Sequence, residues 1–196
     1  MIRVLFVGNS YTYYNDLPGL FVSECKNNGI EAEADSVTAG GYTLAHFLSE
    51  ENEYGVRMRK LLKDNAYDYV VLQEQSVRPA LQPDTFLKCA AALMPLIREN
   101  GAVPVFYETW ARADGSDVLE KAGWDHDTMQ SLLRASYEKA AEENGALIVY
   151  AGERIHEAYG RGEPVYDDDK SHPSPLGSLI AAKEFCRVLT AHHPAE

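Results

Sequence analysis

The stretch Ile2-Arg3-Val4-Leu5-Phe6-Val7, followed at once by Gly8-Asn9-Ser10, constrains this chain more than any other. Its side chains are β-branched, aromatic or leucine, with one charge among them, so it has no polar face to offer to water. Such a segment is a strand covered on both sides, the condition of a parallel sheet between layers of helices. Gly8 permits a tight turn after it. Ser10 then emerges just past the carboxyl end of a core strand, the edge where open α/β sheets bind ligands. A hydroxyl there is a candidate nucleophile, and it needs a base and oxyanion donors from elsewhere in the chain.

The rest of the pattern alternates strand and helix, with no repeat, linker or low-complexity tract, and argues for right-handed crossovers in one parallel sheet. Asp16 caps a helix of about a dozen residues that has Pro18 in its first turn and ends at Asn28-Gly29. Residues 30–37 alternate apolar and acidic side chains, as a half-exposed edge strand does, and run into Gly40-Gly41. That pair permits a close backbone approach to a ligand, and a plain turn uses the same residues. Residues 44–62 read as two helical pieces broken near Glu53–Gly55. Residues 67–72 and 102–107 are two further core strands, and 146–150 a short last one. Helices are expected over Pro83–Asn100, where Pro95 should kink or split the helix, over Trp124–Asn144, and near Gly152–Tyr159. A long Gly/Asp-rich loop leads to Gly123. The final helix starts at the Ser174 cap with Pro175 in its first position.

Size and composition narrow the classes. At 196 residues the chain is long enough for one large core, and residues 1–196 read as a single domain. The formal net charge of −12 leaves no basic patch for nucleic acid or an anionic membrane surface. No apolar run approaches the ~20 residues of a membrane span, and no signal peptide precedes the first strand, so a cytoplasmic protein is expected. Cys25, Cys89 and Cys186 are widely spaced and odd in number, which disfavours a disulfide framework or a zinc knuckle. His46, His126, His156, His192 and His193 have no partner pattern and read as surface or helix residues. The Asp167–Asp169 carboxylates, with His172 beside them, could ligate a hard cation, but no second carboxylate cluster accompanies them, so neither metal nor cofactor is expected.

Serine hydrolysis needs a base on the hydroxyl, an acceptor on the far nitrogen of that base, and fixed donors for the oxyanion. The polar segment Asp167-Asp168-Asp169-Lys170-Ser171-His172-Pro173 meets the first two needs. Asp169 can fold back in a turn to hold the His172 Nδ1–H, leaving Nε2 to face Ser10. Polar residues follow two of the core strands at the same sheet edge: Gln73-Glu74-Gln75-Ser76 and Glu108-Thr109-Trp110. Tyr11 and its neighbours line a pocket or cover a helix. Trp110 floors a pocket or packs, and Glu74 is a second acid or a solvated loop charge. Gly8–Asn15 lacks the GxGxxG and GxxxxGK[ST] spacings of a phosphate-binding turn.

These blocks resemble the SGNH, or GDSL-like, hydrolases. Gly8-Asn9-Ser10 is similar to the family's first block, with Asn9 where Asp is usual. Gly41 matches the second-block glycine, and Asp169-x-x-His172 the fifth block. The third-block Asn is absent; aligning strand ends puts Gln75 at its place, with Gln73 as the alternative. The resemblance implies a three-layer α/β/α sandwich with about five parallel strands, flavodoxin-like in order. It implies an esterase or deacetylase acting on small acyl esters, acetylated sugars among them. Ser10 would be the nucleophile, His172 the base and Asp169 its orienter, with Ser10, Gly41 and Gln75 as the oxyanion hole. Asn9, Tyr11, Gln73, Glu74 and Trp110 would contact substrate. The departure at Gln75 also leaves open a binding module that keeps the fold without the chemistry.

Overall fold

A computed structural model describes residues 1–193. In chain order the elements are β1 (Ile2–Gly8), α1 (Ser10–Tyr13), α2 (Leu17–Asn27), β2 (Ala32–Thr38), α3 (Leu44–Leu48), α4 (Glu53–Asp64), β3 (Tyr69–Leu72) and α5 (Arg78–Leu81). There follow α6 (Pro83–Asn100), β4 (Val103–Tyr107), α7 (Asp117–Ala122), α8 (His126–Asn144), β5 (Leu147–Val149), α9 (Ala151–Gly160) and α10 (Pro175–His192). The five strands form one parallel sheet in the order β2-β1-β3-β4-β5. The chain steps outward from β1 to β2, then crosses back to β3, so the order reverses beside β1. That is the crevice where sheets of this kind bind ligands.

Strand alternation explains the two layers. Val4 and Phe6 point to one face and join a core with Phe21, Ile155 and Phe185 from α2, α9 and α10. Leu5 and Val7 point to the other and meet Phe47, Met58, Phe86 and Tyr137 from α3, α4, α6 and α8. Every residue of β1 from Val4 to Val7 is fully buried, as its uninterrupted apolar run requires. β2 is one of the two edge strands, and its solvent-facing positions carry Glu33 and Asp35.

Three local expectations change. Pro95 does not split α6, which runs unbroken from Pro83 to Asn100. Pro95 and Ala91, whose carbonyl the ring deprives of a donor, are both exposed, so water can serve the freed group. Phe86, Leu93, Met94 and Ile97 meanwhile pin the helix to the sheet. The break between α3 and α4 falls at Ser49–Asn52, ahead of the expected place, because Asn52 caps α4 by accepting the Tyr54 N–H at 2.9 Å. Gly55 lies inside α4 because a Cβ there would sit 2.2 Å from the Ser49 carbonyl oxygen. The loop before Gly123 contains a helical turn, α7, capped by Ser116.

No helix among the described residues is long and apolar enough to cross a membrane.

Candidate active site

Ser10 is the first residue of α1, and Asn9 is its N-cap. The Asn9 side chain accepts the Tyr11 N–H at 3.2 Å and donates to the Tyr42 carbonyl at 2.9 Å. One short side chain thus closes the turn that carries Ser10 and ties it to the Gly40-Gly41 loop. Gly41 has φ of +72°, a conformation that glycine adopts without strain. The N–H groups of Ser10 and Gly41 have no acceptor among the described residues.

The second half of the site comes from the segment between α9 and α10. Tyr166 and Pro173 form an isolated antiparallel bridge, and the Asp167 N–H donates to the His172 carbonyl at 2.9 Å. Inside that loop Asp169 Oδ1 accepts the N–H groups of Ser171 and His172 at 3.0 and 2.8 Å. Its other oxygen, Oδ2, takes the Nδ1–H of His172. The ring's Nε2 lies 2.8 Å from Ser10 Oγ. Partial burial works to raise the Asp169 pKa. The bonds from the His172 ring and from the two backbone N–H groups outweigh it and hold the carboxyl below the usual carboxylate range. Asp169 is therefore an anion at neutral pH, placed to stabilise an imidazolium.

Aromatic residues grip the imidazole. Tyr14 stacks on it with centroids 4.1 Å apart at 13°, and Tyr11 meets it edge-on at 5.6 Å. Tyr11 in turn lies flat on Trp110, 4.5 Å away. The Tyr11 hydroxyl is 3.0 Å from Ser171 Oγ, the Trp110 indole N–H donates to the Ser171 carbonyl at 3.0 Å, and the Asn15 side-chain N–H donates to the Pro173 carbonyl at 2.9 Å. In the sequence Tyr14 has only the general reading of its run, lining a pocket or covering a helix, and Asn15 has no role of its own. The signal for them was only the aromatic run after Ser10, which does not say what it stacks on.

The structure brings Ser10, Asp169 and His172 together and buries the residues expected to contact substrate. Asn9, Tyr11, Gln73, Glu74 and Trp110 are all at most 2% exposed, so they form the frame beneath the site. Trp110 packs under the His172 loop and floors no open pocket. Gln73 Oε1 accepts the Asn9 N–H at 2.8 Å and the Thr12 hydroxyl at 2.9 Å, and its amide donates to the Glu74 carbonyl. Its oxygen accepts twice, one of its two amide N–H groups is taken, and the side chain is fully buried. Gly8 makes room for this strut, since a Cβ there would lie 2.5 Å from Gln73 Oε1. Glu74 is no solvated loop charge. It accepts the Gln75 N–H at 2.6 Å and the Leu44 N–H at 3.3 Å. Gln75 is only half-buried. Its Oε1 accepts the Val77 N–H at 3.1 Å, while its Nε2 has only Ser76 Oγ, at 3.4 Å. Each amide keeps a second N–H, but of the two glutamines only Gln75 is not fully buried.

Two buried carboxyls underlie this edge. Burial pushes Glu74 up to about 7, against the pull of the Gln75 and Leu44 N–H groups and of Arg78. Burial pushes Glu108 up to about 8, although it accepts from Gln130 Nε2 at 2.7 Å and from the Glu153 N–H at 3.0 Å. A carboxyl raised on folding favours the folded state most below its ordinary pKa of 4.5 and loses that contribution as pH climbs through the folded value. Stability is therefore expected to fall between about pH 4.5 and 8. Glu108→Gln should flatten the decline by about 3–5 kcal/mol at most. Urea titrations at pH 5 and pH 8 measure it, and parallel slopes in both proteins would contradict the assignment.

No protein-family model matches the sequence, and no curated protein matches it. Solved structures do. A candidate SGNH hydrolase from Slackia heliotrinireducens is 31% identical, with a TM-score of 0.84 over 96% of this chain and 98% of its own. A DUF4886 family protein from Bacteroides uniformis is 20% identical, with a TM-score of 0.84 over 100% of this chain and 86% of its own. A variant of Axe2, an acetyl xylan esterase from Geobacillus stearothermophilus, shares the fold at 16% identity, with a TM-score of 0.66 over 100% and 97%.

Proposed function

This chain belongs to the SGNH hydrolase superfamily, and on that premise we propose that it cleaves small acyl esters through an acyl-enzyme on Ser10, with O-acetylated carbohydrate as the substrate class. One observation carries the reading: Ser10 Oγ lies 2.8 Å from His172 Nε2, while the ring's other nitrogen is held by Asp169. That is the hydrogen-bond order a serine nucleophile requires. Likeness in fold to an acetyl xylan esterase supports the choice of an acetylated sugar. The reading takes residues 1–196 as one catalytic unit, cytoplasmic and without cofactor.

In the forward step Ser10 Oγ attacks the ester carbonyl as His172 Nε2 takes its proton. Asp169 stabilises the imidazolium that forms. The oxyanion is received by the N–H groups of Ser10 and Gly41 and by Gln75 Nε2. His172 returns the proton to the departing alcohol. Water then attacks the acyl group with His172 again as base, and Ser10 is released. Both displacements use the same donors, so each donor lowers two barriers.

A fluorophosphonate probe is expected to label the protein once, on the tryptic peptide that contains Ser10, as located by mass spectrometry. An unlabelled Ser10 in folded protein would favour a binding module with a silent site. Gln75→Ala is expected to retain labelling and to lose about 10²–10³ in kcat on p-nitrophenyl acetate, the usual effect of deleting one oxyanion donor. An unchanged kcat would remove Gln75 from the hole.

A further inference from the structure

Away from the triad, His126 at the start of α8 and His156 in α9 face one another with their Nδ1 atoms 3.1 Å apart. The Asp127 carboxylate oxygen Oδ1 lies 3.9 Å from His126 Nδ1 and 3.8 Å from His156 Nε2. The three side chains border a surface cavity of about 470 Å³ that Asp114 and Tyr159 also line.

The hydrogen bonding around His126 fixes its tautomer. Tyr166 has one hydroxyl proton, and it is donated to the Ala111 carbonyl at 2.8 Å. The Tyr166 oxygen, 3.0 Å from His126 Nε2, must then accept, so the ring carries its proton on Nε2. His126 Nδ1 is left with a bare lone pair aimed at His156. Metal-binding histidines are held in this way, with one nitrogen donating to a fixed oxygen and the other turned to the ion. A separation of 3.1 Å is also close to the edge of a tetrahedron with metal–nitrogen bonds of about 2.0–2.1 Å, roughly 3.3 Å.

We infer that His126, His156 and Asp127 form a binding site for a divalent transition-metal ion of the zinc type. His126 Nδ1, a nitrogen of His156 and an Asp127 oxygen supply three positions, and the fourth faces the cavity, within reach of water. Two imidazoles select an ion of this softness over magnesium or calcium, which prefer all-oxygen sites. His156 ligates as the neutral ring: where its Nδ1 takes the ion, the single ring proton moves through solvent to Nε2, with no net loss of a proton. Asp127 is exposed and free to close the remaining distance, whereas His126 is buried and held by Tyr166. The bound ion would clamp α8 to α9. Through Tyr166, which pairs with Pro173, it would also steady the loop that bears Asp169 and His172.

The site stands or falls independently of esterase activity, and the test reads binding. The full chain, freed of metal by a chelator, is titrated with zinc chloride by calorimetry and its melting temperature is followed. One equivalent is expected to bind and to raise Tm, with no heat from magnesium chloride. His156→Gln, at a partly exposed position, and Asp127→Asn, at an exposed one, are expected to weaken zinc binding by about 100-fold and about 10-fold while keeping the metal-free Tm. No saturable zinc binding by the parent protein would overturn the inference. So would equal affinity in His156→Gln, which would put the ion elsewhere, on a thiol for instance.

Discussion

Ser10→Ala is expected to lower kcat/KM on a short-chain p-nitrophenyl ester by at least about 10⁴-fold with the fold intact. The loss is large because the hydroxyl is the only group that can carry the acyl intermediate, and what survives comes from binding and the oxyanion donors alone. His172→Ala should fall as far, and the double variant no further, since residues that act as a unit are not additive. Initial rates together with a urea denaturation curve decide it. A folded Ser10→Ala protein that turned over at the parent rate would place the nucleophile elsewhere.

Gln73→Leu is expected to cost about 2–5 kcal/mol of stability, which makes it the most damaging single change proposed on the frame. The side chains are similar in volume, so the cavity contribution is small. What is lost is the acceptor for the Asn9 N–H and the Thr12 hydroxyl, and the donor to the Glu74 carbonyl. Each buried group left unpaired costs about 1–3 kcal/mol. The shift appears in the urea midpoint at constant m. Activity should fall with it, because Asn9 caps the helical turn that aims Ser10. An unchanged midpoint would mean that water replaces the strut and that Gln73 does not brace the turn.

These two residues mark where reading the chain succeeds and where it stops. β1 and its serine were legible because the evidence is contiguous: an apolar run, a glycine, then a hydroxyl. The Asp169–His172 turn was legible for the same reason, as its shaping bonds span two or three residues. Gln73 and Gln75 were not separable. Each is an amide just past β3, and which one turns down to the frame depends on how β3 aligns against β1. Only packing reveals that Gln73 fits over Gly8. Tyr14 against His172 joins positions 158 apart, and His126 against His156 joins two helices, so neither pairing leaves a local signature. The continuity of α6 through Pro95 was misjudged because a proline rule states the loss of one bond and not the burial that outweighs it.

The serine and its base are separated by 162 positions along the polypeptide, and α10, which follows the base, packs against α2, which follows the serine. During synthesis, then, Ser10 leaves the ribosome 162 positions before His172, in a chain that does not yet hold the proposed base. On the proposed mechanism, chemistry waits until the segment through α10 has emerged and packed against α2. Copies that stop short of His172 would be silent on that mechanism, so turnover per molecule would report on the docking of α10.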